Sequence, residues 1–558
     1  MSKVFLPSLK NRWVTLVVLA CLAMDSADAQ PSTQTVFDLP FSAKETRGFC
    51  ALGNRLVLFH HPTRTLLAAN SQSGVAPVEN LKGWAVSDAA ILGGKPIYCS
   101  RDRTLRIVNA KVTPTPIPGT SNLVSIAVLG TQVFLLDAGK TSAIVCLDAR
   151  NGQQLSRTNY DGIHPVDIAV NSSGVFVLDL GDHCIHKIDR KSGKTSLRIQ
   201  VGPGVKSGSG GIAFLGPDLY VHEADFHRLR PVTWQVHEKS VSSWKMPLKM
   251  TFVQESDNQS TSDVSTVDFH VPIPTDGYAQ VVEDLKWSAQ PDKKIQDKFG
   301  QKIGVFRDIA IPPNGHHDLR YETTVYTNAV QYDPPKIPLA SLDEIPEKIR
   351  SEYLAPDPVY RLDSKELISA ARDARLDANG AEPADVRTLI ENIAWYQSKR
   401  FNYVMDDAWD DSLEVFNRGT GSCSEYSFVF SSLCRLNNIP TRLVGGITMA
   451  DYTTKHETNN FHRWTEVYFP SLGWIPVDVT KFDDGKKETR DFEFMFGNPG
   501  HTVCLSRGGV DDSALGTSYY IRRRYRGGKR VRKTFVIFEP HDSYDVKTVT
   551  ITAPKLAR

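Results

Sequence analysis

The sequence predicts a multidomain protein: an all-β propeller, then an antiparallel β-domain, then an α+β domain that carries the chemistry. Three observations lead there. A strand-rich unit recurs between residues 48 and 247 at roughly 40-residue intervals, longer alternating strands fill 250–335, and helical periodicity takes over beyond a proline-rich linker. A chain of 558 residues exceeds one ordinary core, and 41% hydrophobic with 23% charged residues is a globular composition. The net charge of +2 offers no global electrostatic clue.

The N-terminal residues read as an export signal. Lys3, Lys10 and Arg12 precede the apolar run WVTLVVLACLA, and Ala27-Asp28-Ala29 supplies small residues at the offsets a signal peptidase requires, so residues 1–29 are read as a signal peptide. The run is much shorter than the roughly 20 residues of a spanning helix. The reading is therefore a secreted or periplasmic protein without a transmembrane helix. Lipoprotein anchoring through Cys21 is a minority alternative, because Leu19 fits a lipobox poorly. Of the eight cysteines, seven remain after such a cleavage, and an odd count suggests a free thiol. Cys50, Cys99, Cys146, Cys184, Cys434 and Cys504 have neither CxxC spacing nor the density of a disulfide scaffold, so they read as isolated core thiols.

The repeats justify the propeller over 35–247. Five segments align on a small residue before a short strand: FCALGNRLVLFH, DAAILGGKPIYCS, SIAVLGTQVFLLD, DIAVNSSGVFVLD and GIAFLGPDLYVHE, with Ala51, Ala90, Ala127, Ala169 and Ala213 in register. The units continue into alternating stretches whose DARNG and DRKSG steps read as hairpin turns. Several strands per unit at that period means blades, five or six of them. The segments resemble secreted propellers of the lactonase and quinoprotein-like type. Catalysis by the propeller itself would call for inward carboxylates binding calcium, and Asp137, Asp179 and Glu223 against His60 and Ser100 are too uneven for that.

From 250 to 335, STVDFHVPIP, IGVFRDIAIPP and LRYETTVYTNAV read as strands of an antiparallel β-domain. A linker with helices follows over 336–382. In EPADVRTLIENIAWYQSKR, Val386, Leu389, Ile390, Ile393 and Gln397 share one helical face, with Pro383 suited to the first turn.

The chemistry concentrates in GTGSCSEYSFVFSSLC, Gly419 to Cys434. Ser422 and Glu425 form an S-x-x-E capping box, which puts Cys423 at the first helical position. Unpaired amides and the helix dipole favour an anion there, so the thiol should be acidified. Cys434 falls within the apolar stripe of Tyr426, Phe430 and Leu433 and reads as packing. A thiolate needs an oriented base. FHRWTEVYF places His462, Trp464, Glu466 and Tyr468 on one strand face, and after the short PSLG connection WIPVDVT brings Asp478 within a few positions of His462.

These motifs, Cys423 after GTGS, then LCRLNNIPTRLVGG and HRWTEVYFPSLGWIPVDVT, resemble the core of the transglutaminase-like superfamily, a papain-like cysteine fold, over about 383–482. The resemblance implies an α+β catalytic domain, placed at 383–540 ahead of a C-terminal tail at 541–558. It implies Cys423 as nucleophile, His462 as general base and acid, and Asp478 as orienting group. Asn437-Asn438 depart from the small residue and glycine common in the family. The stretch 250–335 resembles, more loosely, the β-domain that precedes this core in bacterial members. The oxyanion would be met by the Cys423 amide and an upstream side chain, with Gln397 and Tyr403 as candidates that could equally only pack or cap.

Other features are read as structural. IRRRYRGGKRVRK carries eight basic residues around Gly527-Gly528 and reads as a solvent-facing hairpin rather than a nucleic-acid site. Asp406, Asp407, Asp410 and Asp411 lack EF-hand spacing, so bound calcium is unsupported and no cofactor is expected. The adjacent pairs His60-His61 and His316-His317 do not suit a metal, and phosphate loops and dinucleotide fingerprints are absent. The loop Ile447 to Phe461 is read as substrate-facing, with His456 a weaker rival to His462. The functional expectation is an exported thiol enzyme acting on amide bonds of a protein or peptide substrate, hydrolysis favoured over amine transfer or crosslinking. The propeller would dock a protein or polysaccharide. The alternative of another class is a non-catalytic, propeller-based extracellular binding protein.

Overall fold

The computed structural model describes residues 35–550, apart from 39–45, 53–54, 61–64, 71–73, 81–85, 101–102, 108–114, 161, 182, 191–192, 202–204, 206–210, 224–227, 238–239, 406–408, 451, 453, 483–493, 510–513 and 542–546. The readings placed on the signal peptide, Cys21, His61, Asp406 and Asp407 lie outside the described residues.

The N-terminal region is mostly β and consists of successive antiparallel sheets. Four of them have four strands each, running from Thr46–Leu52 to Gly74–Asn80, Val86–Leu92 to Thr115–Pro116, Leu123–Leu129 to Gln154–Asn159, and Pro165–Asn171 to Thr195–Gln200. The aligned alanines occupy one position in every sheet. Ala90 pairs with Ile97, Ala127 with Phe134, Ala169 with Phe176 and Ala213 with Tyr220, each seven residues on, and Ala51 pairs with Leu56 across a shorter turn. A bulge recurs just upstream, between Val86 and Asp88, Leu123 and Ser125, and Pro165 and Asp167. Bulges re-aim side chains, and here they precede the three polar residues of the inner strands. The first strands pack side by side in chain order, and Ile212–Leu215 also packs against Thr46–Leu52.

Successive sheets bury their facing sides against one another. Ala90, Ile97 and Cys99 share a core with Ile126, Val133 and Leu135, while Phe176, Leu178 and Ile185 share one with Leu219 and Val221. Ala143–Asp148, whose stretch the sequence reads as alternating, and Gly174–Asp179 are buried along their whole length, as two-sided packing requires.

The fifth sheet corrects the domain boundaries. Ile212–Leu215, Asp218–Glu223 and Arg228–Val232 are completed by Thr35–Asp38, antiparallel to the last of these, and then by Lys547–Thr550, parallel to Thr35–Asp38. The segment assigned to a C-terminal tail therefore contributes a strand. A four-residue KTVT pattern is too short to declare itself until another strand offers an edge. The boundary near 250 moves as well, because one strand, Ser240–Asn258, runs through it.

The β-domain is a two-sheet sandwich. One sheet orders Gln280–Trp287, His316–Tyr332, Ser240–Asn258, Arg530–Pro540 and His456–Thr458; the other orders Lys293–Gln296, Lys302–Ile311, Ser265–Pro272 and Arg522–Arg526. Leu248, Met250 and Phe252 alternate inward against Val267, Phe269 and Val271. The basic segment is thus not a hairpin. Its two strands pair with different sheets, Arg522–Arg526 with Ser265–Pro272 and Arg530–Pro540 with Ser240–Asn258, and the Gly527-Gly528 turn, left-handed at both residues, crosses between them. Local alternation fits either arrangement; the long-range partners decide. Residues 522–540 therefore belong to the sandwich and not to the domain assigned over 383–540.

The α+β region holds α1 (Glu347–Tyr353), α2 (Lys365–Asp373), α3 (Val386–Arg400), α4 (Ser412–Arg418) and α5 (Cys423–Leu436). Its sheet orders Gly473–Val477, Phe461–Phe469, Thr441–Thr448 and Thr502–Gly508. The predicted face of α3 is buried, but Asp385 caps the helix by accepting from Thr388 N, so Pro383 lies two residues before the cap rather than in the first turn. Asn438 ends α5 in the left-handed conformation, the position glycine usually fills, which explains how the Asn437-Asn438 departure is tolerated. Ile447, Val503 and Leu505 also belong to the sandwich core, so the two domains share one apolar interior. No helix among the described residues is long and apolar enough to cross a membrane.

The inner strands hold one testable polar bridge. Ser125 Oγ lies 2.7 Å from Asp88 Oδ2 and also contacts Asp167 Oδ1. A hydroxyl has a single proton, so one carboxyl must be protonated to complete the bridge. Burial raises Asp88 from 3.8 to about 6 and Asp167 well above its ordinary value, the latter helped by the Asp88 charge. The native state therefore retains protons that the unfolded chain has lost. This contribution is full below pH 3.8 and is lost as pH rises through about 6, a shift equivalent to roughly 3 kcal/mol. Thermal melts at constant ionic strength should show the unfolding temperature falling between pH 4 and 7, and Asp88→Asn should flatten that fall. An unchanged slope in the variant would refute the shared proton.

Candidate active site

The N-terminus of α5 is built as the capping pattern dictates. Ser422 and Glu425 form the box, with Glu425 Oε2 accepting from Ser422 N at 2.7 Å, and Arg418 Nη2 holds the buried Glu425 at 2.8 Å. Cys423, 6% exposed, sits at the first helical position. A miniature parallel pairing of Asn402–Tyr403 with Thr420–Gly421 brings Tyr403 alongside, so that its hydroxyl meets both the thiol and the backbone amide of Cys423.

His462 and Asp478 come from adjacent strands. Thr465 pairs with Val477, a register that sets Asp478 beside Trp464, two residues from His462. The side chains bridge the offset: His462 Nε2 lies 2.6 Å from Asp478 Oδ2. That bond leaves Nδ1 for the thiol, with which the ring is hydrogen-bonded. Thr480 Oγ1 donates to the other carboxylate oxygen at 2.6 Å, and Trp464 stacks on the imidazole at 6.1 Å with 21° between planes. The structure thus brings Cys423, His462, Asp478 and Tyr403 together.

Charge follows from this packing. Burial pushes the Cys423 thiol up, but the His462 hydrogen bond and charge, the Arg463 amide and the Arg463 charge together carry it below its usual 9.0. Burial opposes protonation of His462, yet the Asp478 carboxylate and the thiol raise it to about 9. Asp478 is held low against its own burial by His462, Lys481 and Thr480. Between the lowered thiol value and about 9 the ion pair of thiolate and imidazolium is therefore the stable form. Burial and the Cys423 charge push the Tyr403 phenol up to about 12, so it remains a donor.

Gln397 is not part of this arrangement. It is fully buried within α3, and its Nε2 donates to the Tyr426 carbonyl at 2.9 Å. The carbonyl of α5 takes the donor an oxyanion would need, which corrects that candidacy. Cys434 is fully buried, and burial drives its thiol well above the ordinary range. The loop read as substrate-facing is pinned instead. Tyr452 Oη donates to both oxygens of Glu223 at 2.5 Å, and His456–Thr458 pairs with Arg530–Pro540. The acidic group is also committed, Asp410 to Arg418, and Asp411 to the cap of α4 and to Arg361 at 2.7 Å.

Sequence reasoning missed three residues around the Cys423–His462–Asp478 cluster. Arg463 points off the His462 face in any strand pattern, Thr480 is a turn residue, and Tyr519 lies some 40 positions downstream with no local motif. Only the D-x-T spacing of Asp478 and Thr480 offered a local sign.

With this geometry in hand, comparisons with known proteins assign its class. Residues 374–479 match the transglutaminase-like superfamily, so the chain carries a transglutaminase-like superfamily domain. The chain is 34% identical over 76 residues to YebA, an uncharacterised protein of Bacillus subtilis strain 168, a match covering 12% of this chain and 10% of that protein. It thus spans about a tenth of that relative's length. Among solved structures, a candidate cysteine protease from Cytophaga hutchinsonii aligns over 54% of this chain and 100% of its own, with 14% identity and a TM-score of 0.38. Glutaminyl cyclase of Myxococcus xanthus aligns over 37% of this chain and 98% of its own, with 12% identity and a TM-score of 0.28. The periplasmic domain of TgpA from Pseudomonas aeruginosa aligns over 47% of this chain and 82% of its own, with 14% identity and a TM-score of 0.24. Likenesses at this level carry no functional argument.

The ion pair can be read directly. At pH 7 iodoacetamide should label Cys423 at least ten times faster than Cys434, followed by peptide mass spectrometry. Replacing Asp478 by Ala removes the anion that raises His462, so the labelling profile of Cys423 should move to higher pH, about tenfold slower at pH 6 for each pKa unit. Equal labelling of the two cysteines would remove the basis for an activated thiol.

Proposed function

We propose that this protein is an exported cysteine-nucleophile enzyme that acts on amide bonds of proteins or peptides, with hydrolysis as its main outcome. The observation that carries the reading is the 2.6 Å bond from Asp478 to an imidazole that in turn meets a thiol at a capped helix N-terminus. The Cys423 thiolate attacks the carbonyl carbon, and charge collects on the carbonyl oxygen. In this reading the Cys423 amide and the Tyr403 hydroxyl donate to it, supported by the Tyr403 hydroxyl lying against both the amide and the sulfur of Cys423. His462 then gives its proton to the departing amine as the C–N bond breaks, leaving a thioester on Cys423. Water, deprotonated by His462, attacks the thioester and releases the acid with the thiol restored. An amine in place of water would give transfer or crosslinking.

We read the five N-terminal sheets as the blades of a propeller, supported by the repeated register of the inner strands and the packing of the last inner strand against the first. In this reading the blades dock a protein or polysaccharide and hold the thiol domain against it through the Glu223–Tyr452 contact. The basic and apolar N-terminal pattern supports action outside the cytoplasm.

Incubating the full chain with a protein substrate, with and without a labelled primary amine, distinguishes the outcomes by mass spectrometry. New termini or deamidation are expected to dominate over amine adducts, and Cys423→Ala should abolish all of them. Tyr403→Phe should lower turnover about 10²- to 10³-fold while Cys423 alkylation persists. Full activity in Cys423→Ala would reject the proposal.

A further inference from the structure

Arg463 directly follows His462 and is the largest fully buried side chain among the described residues, 2% exposed. Its guanidinium sits among three aromatic faces, 4.3 Å from the Tyr519 ring centroid and 5.4 Å from those of Phe428 and Trp409. A guanidinium has five N–H donors. Here Nη2 donates to the Thr517 carbonyl at 2.7 Å, whereas Nε and Nη1 are buried without a hydrogen-bond partner. No carboxylate of the described residues forms an ion pair with it. Burial disfavours the cation; the Cys423 thiolate acts on it through space and the rings cover its faces, but neither meets its N–H groups. The N–H groups lie in the guanidinium plane, and those on Nε and Nη1 remain unmet.

Arg463 also walls a small cavity of about 20 Å³, lined with it by Gly445, Ser506, Gly508, Gly509, Ser518 and Tyr519. Two further charged residues border the pocket, Asp297 and Arg507, and Arg507 is engaged by the buried Glu466 at 3.5 Å. A Cβ at Gly445 would meet Tyr519 at 2.4 Å and one at Gly509 would meet Phe299 at 2.6 Å, so the glycines let these rings pack closely at the wall. The Arg463 backbone amide meets the Cys423 sulfur, so this pocket and the reacting atom are joined through a single residue.

Resting on the nucleophile reading above, we propose that the pocket at Arg463 receives a carboxylate of the acyl substrate. The protein thereby selects acyl donors with an acidic group close to the scissile amide. Charge-assisted hydrogen bonds from Nε and Nη1 to that carboxylate satisfy the N–H groups that the fold leaves unmet. Arg463 is a specificity residue in this scheme; losing its charge also weakens the acidification of the thiol, which slows charged and uncharged reagents alike.

Two alkylating reagents that differ only in a carboxylate test this on the full chain. Iodoacetate carries the acid beside its reactive carbon and iodoacetamide does not, so a change in thiol acidity affects both and cancels in their rate ratio. The iodoacetate-to-iodoacetamide ratio at Cys423 should be at least tenfold higher in the wild type than in Arg463→Met, and intermediate in Arg463→Lys. Sodium acetate should protect Cys423 from iodoacetate saturably in the wild type, while sodium chloride at equal ionic strength should not. The wild-type protection experiment stands even if a variant fails to fold. An unchanged ratio, a lack of saturable protection, or equal protection by chloride overturns the proposal. Failure of both reagents to label Cys423 faster than Cys434 strikes the nucleophile reading instead.

Discussion

The bond between His462 and Asp478 is the constraint on which the rest of the site depends. It fixes which imidazole nitrogen faces the thiol, raises the ring to about 9 and thereby lets a nearly buried sulfur hold a negative charge. Burial acts against all three groups, and only their mutual placement offsets it. The capped α5 N-terminus, the Thr480 hydroxyl and the stacked Trp464 each restrict one degree of freedom of the same three side chains.

That placement depends on a strand buried on both faces. Phe461–Phe469 presents His462 toward α5, while its neighbours Arg463, Thr465 and Val467 are equally buried. The sandwich shares its core with the adjoining strands through Ile447, Val503 and Leu505, so the β-domain is structural support for the site rather than a separate module. The contact of Tyr452 with Glu223, itself paired to Arg230 at 2.7 Å, extends the support into the fifth N-terminal sheet. A chain of packed and bonded elements therefore runs from the inner strands of the N-terminal region to the strand that carries the histidine.

The site was largely legible from local pattern. A capping box needs four residues, and a strand pair joined by a short turn needs about twenty, so Cys423, His462 and Asp478 could be placed by spacing and periodicity alone. Tyr403 was within reach because it lies 20 residues before the cysteine, but Gln397 looked equally suitable; only the α3–α5 packing, which spends the Gln397 amide on Tyr426, separates them. The repeats were legible because strands of one sheet are neighbours in the chain. The failures share one cause. Residues 522–540 look like a hairpin and residues 547–550 like a tail because alternation records that a segment is extended, not which distant edge it joins.

Period, turn chemistry and capping are encoded within short windows, so the sequence alone determined the β-rich repeats, the acidified position of Cys423 and the pairing of His462 with Asp478. Assembly of strands far apart in the chain was decided only in three dimensions. It joined Thr35–Asp38 to Lys547–Thr550 in one sheet, tied Tyr452 of the 447–461 loop to Glu223, and buried Arg463 with two unpartnered nitrogens beside the thiol. The physical reason is that a side chain's solvation and charge partners depend on the elements that close over it, and those come from parts of the chain that local pattern does not connect.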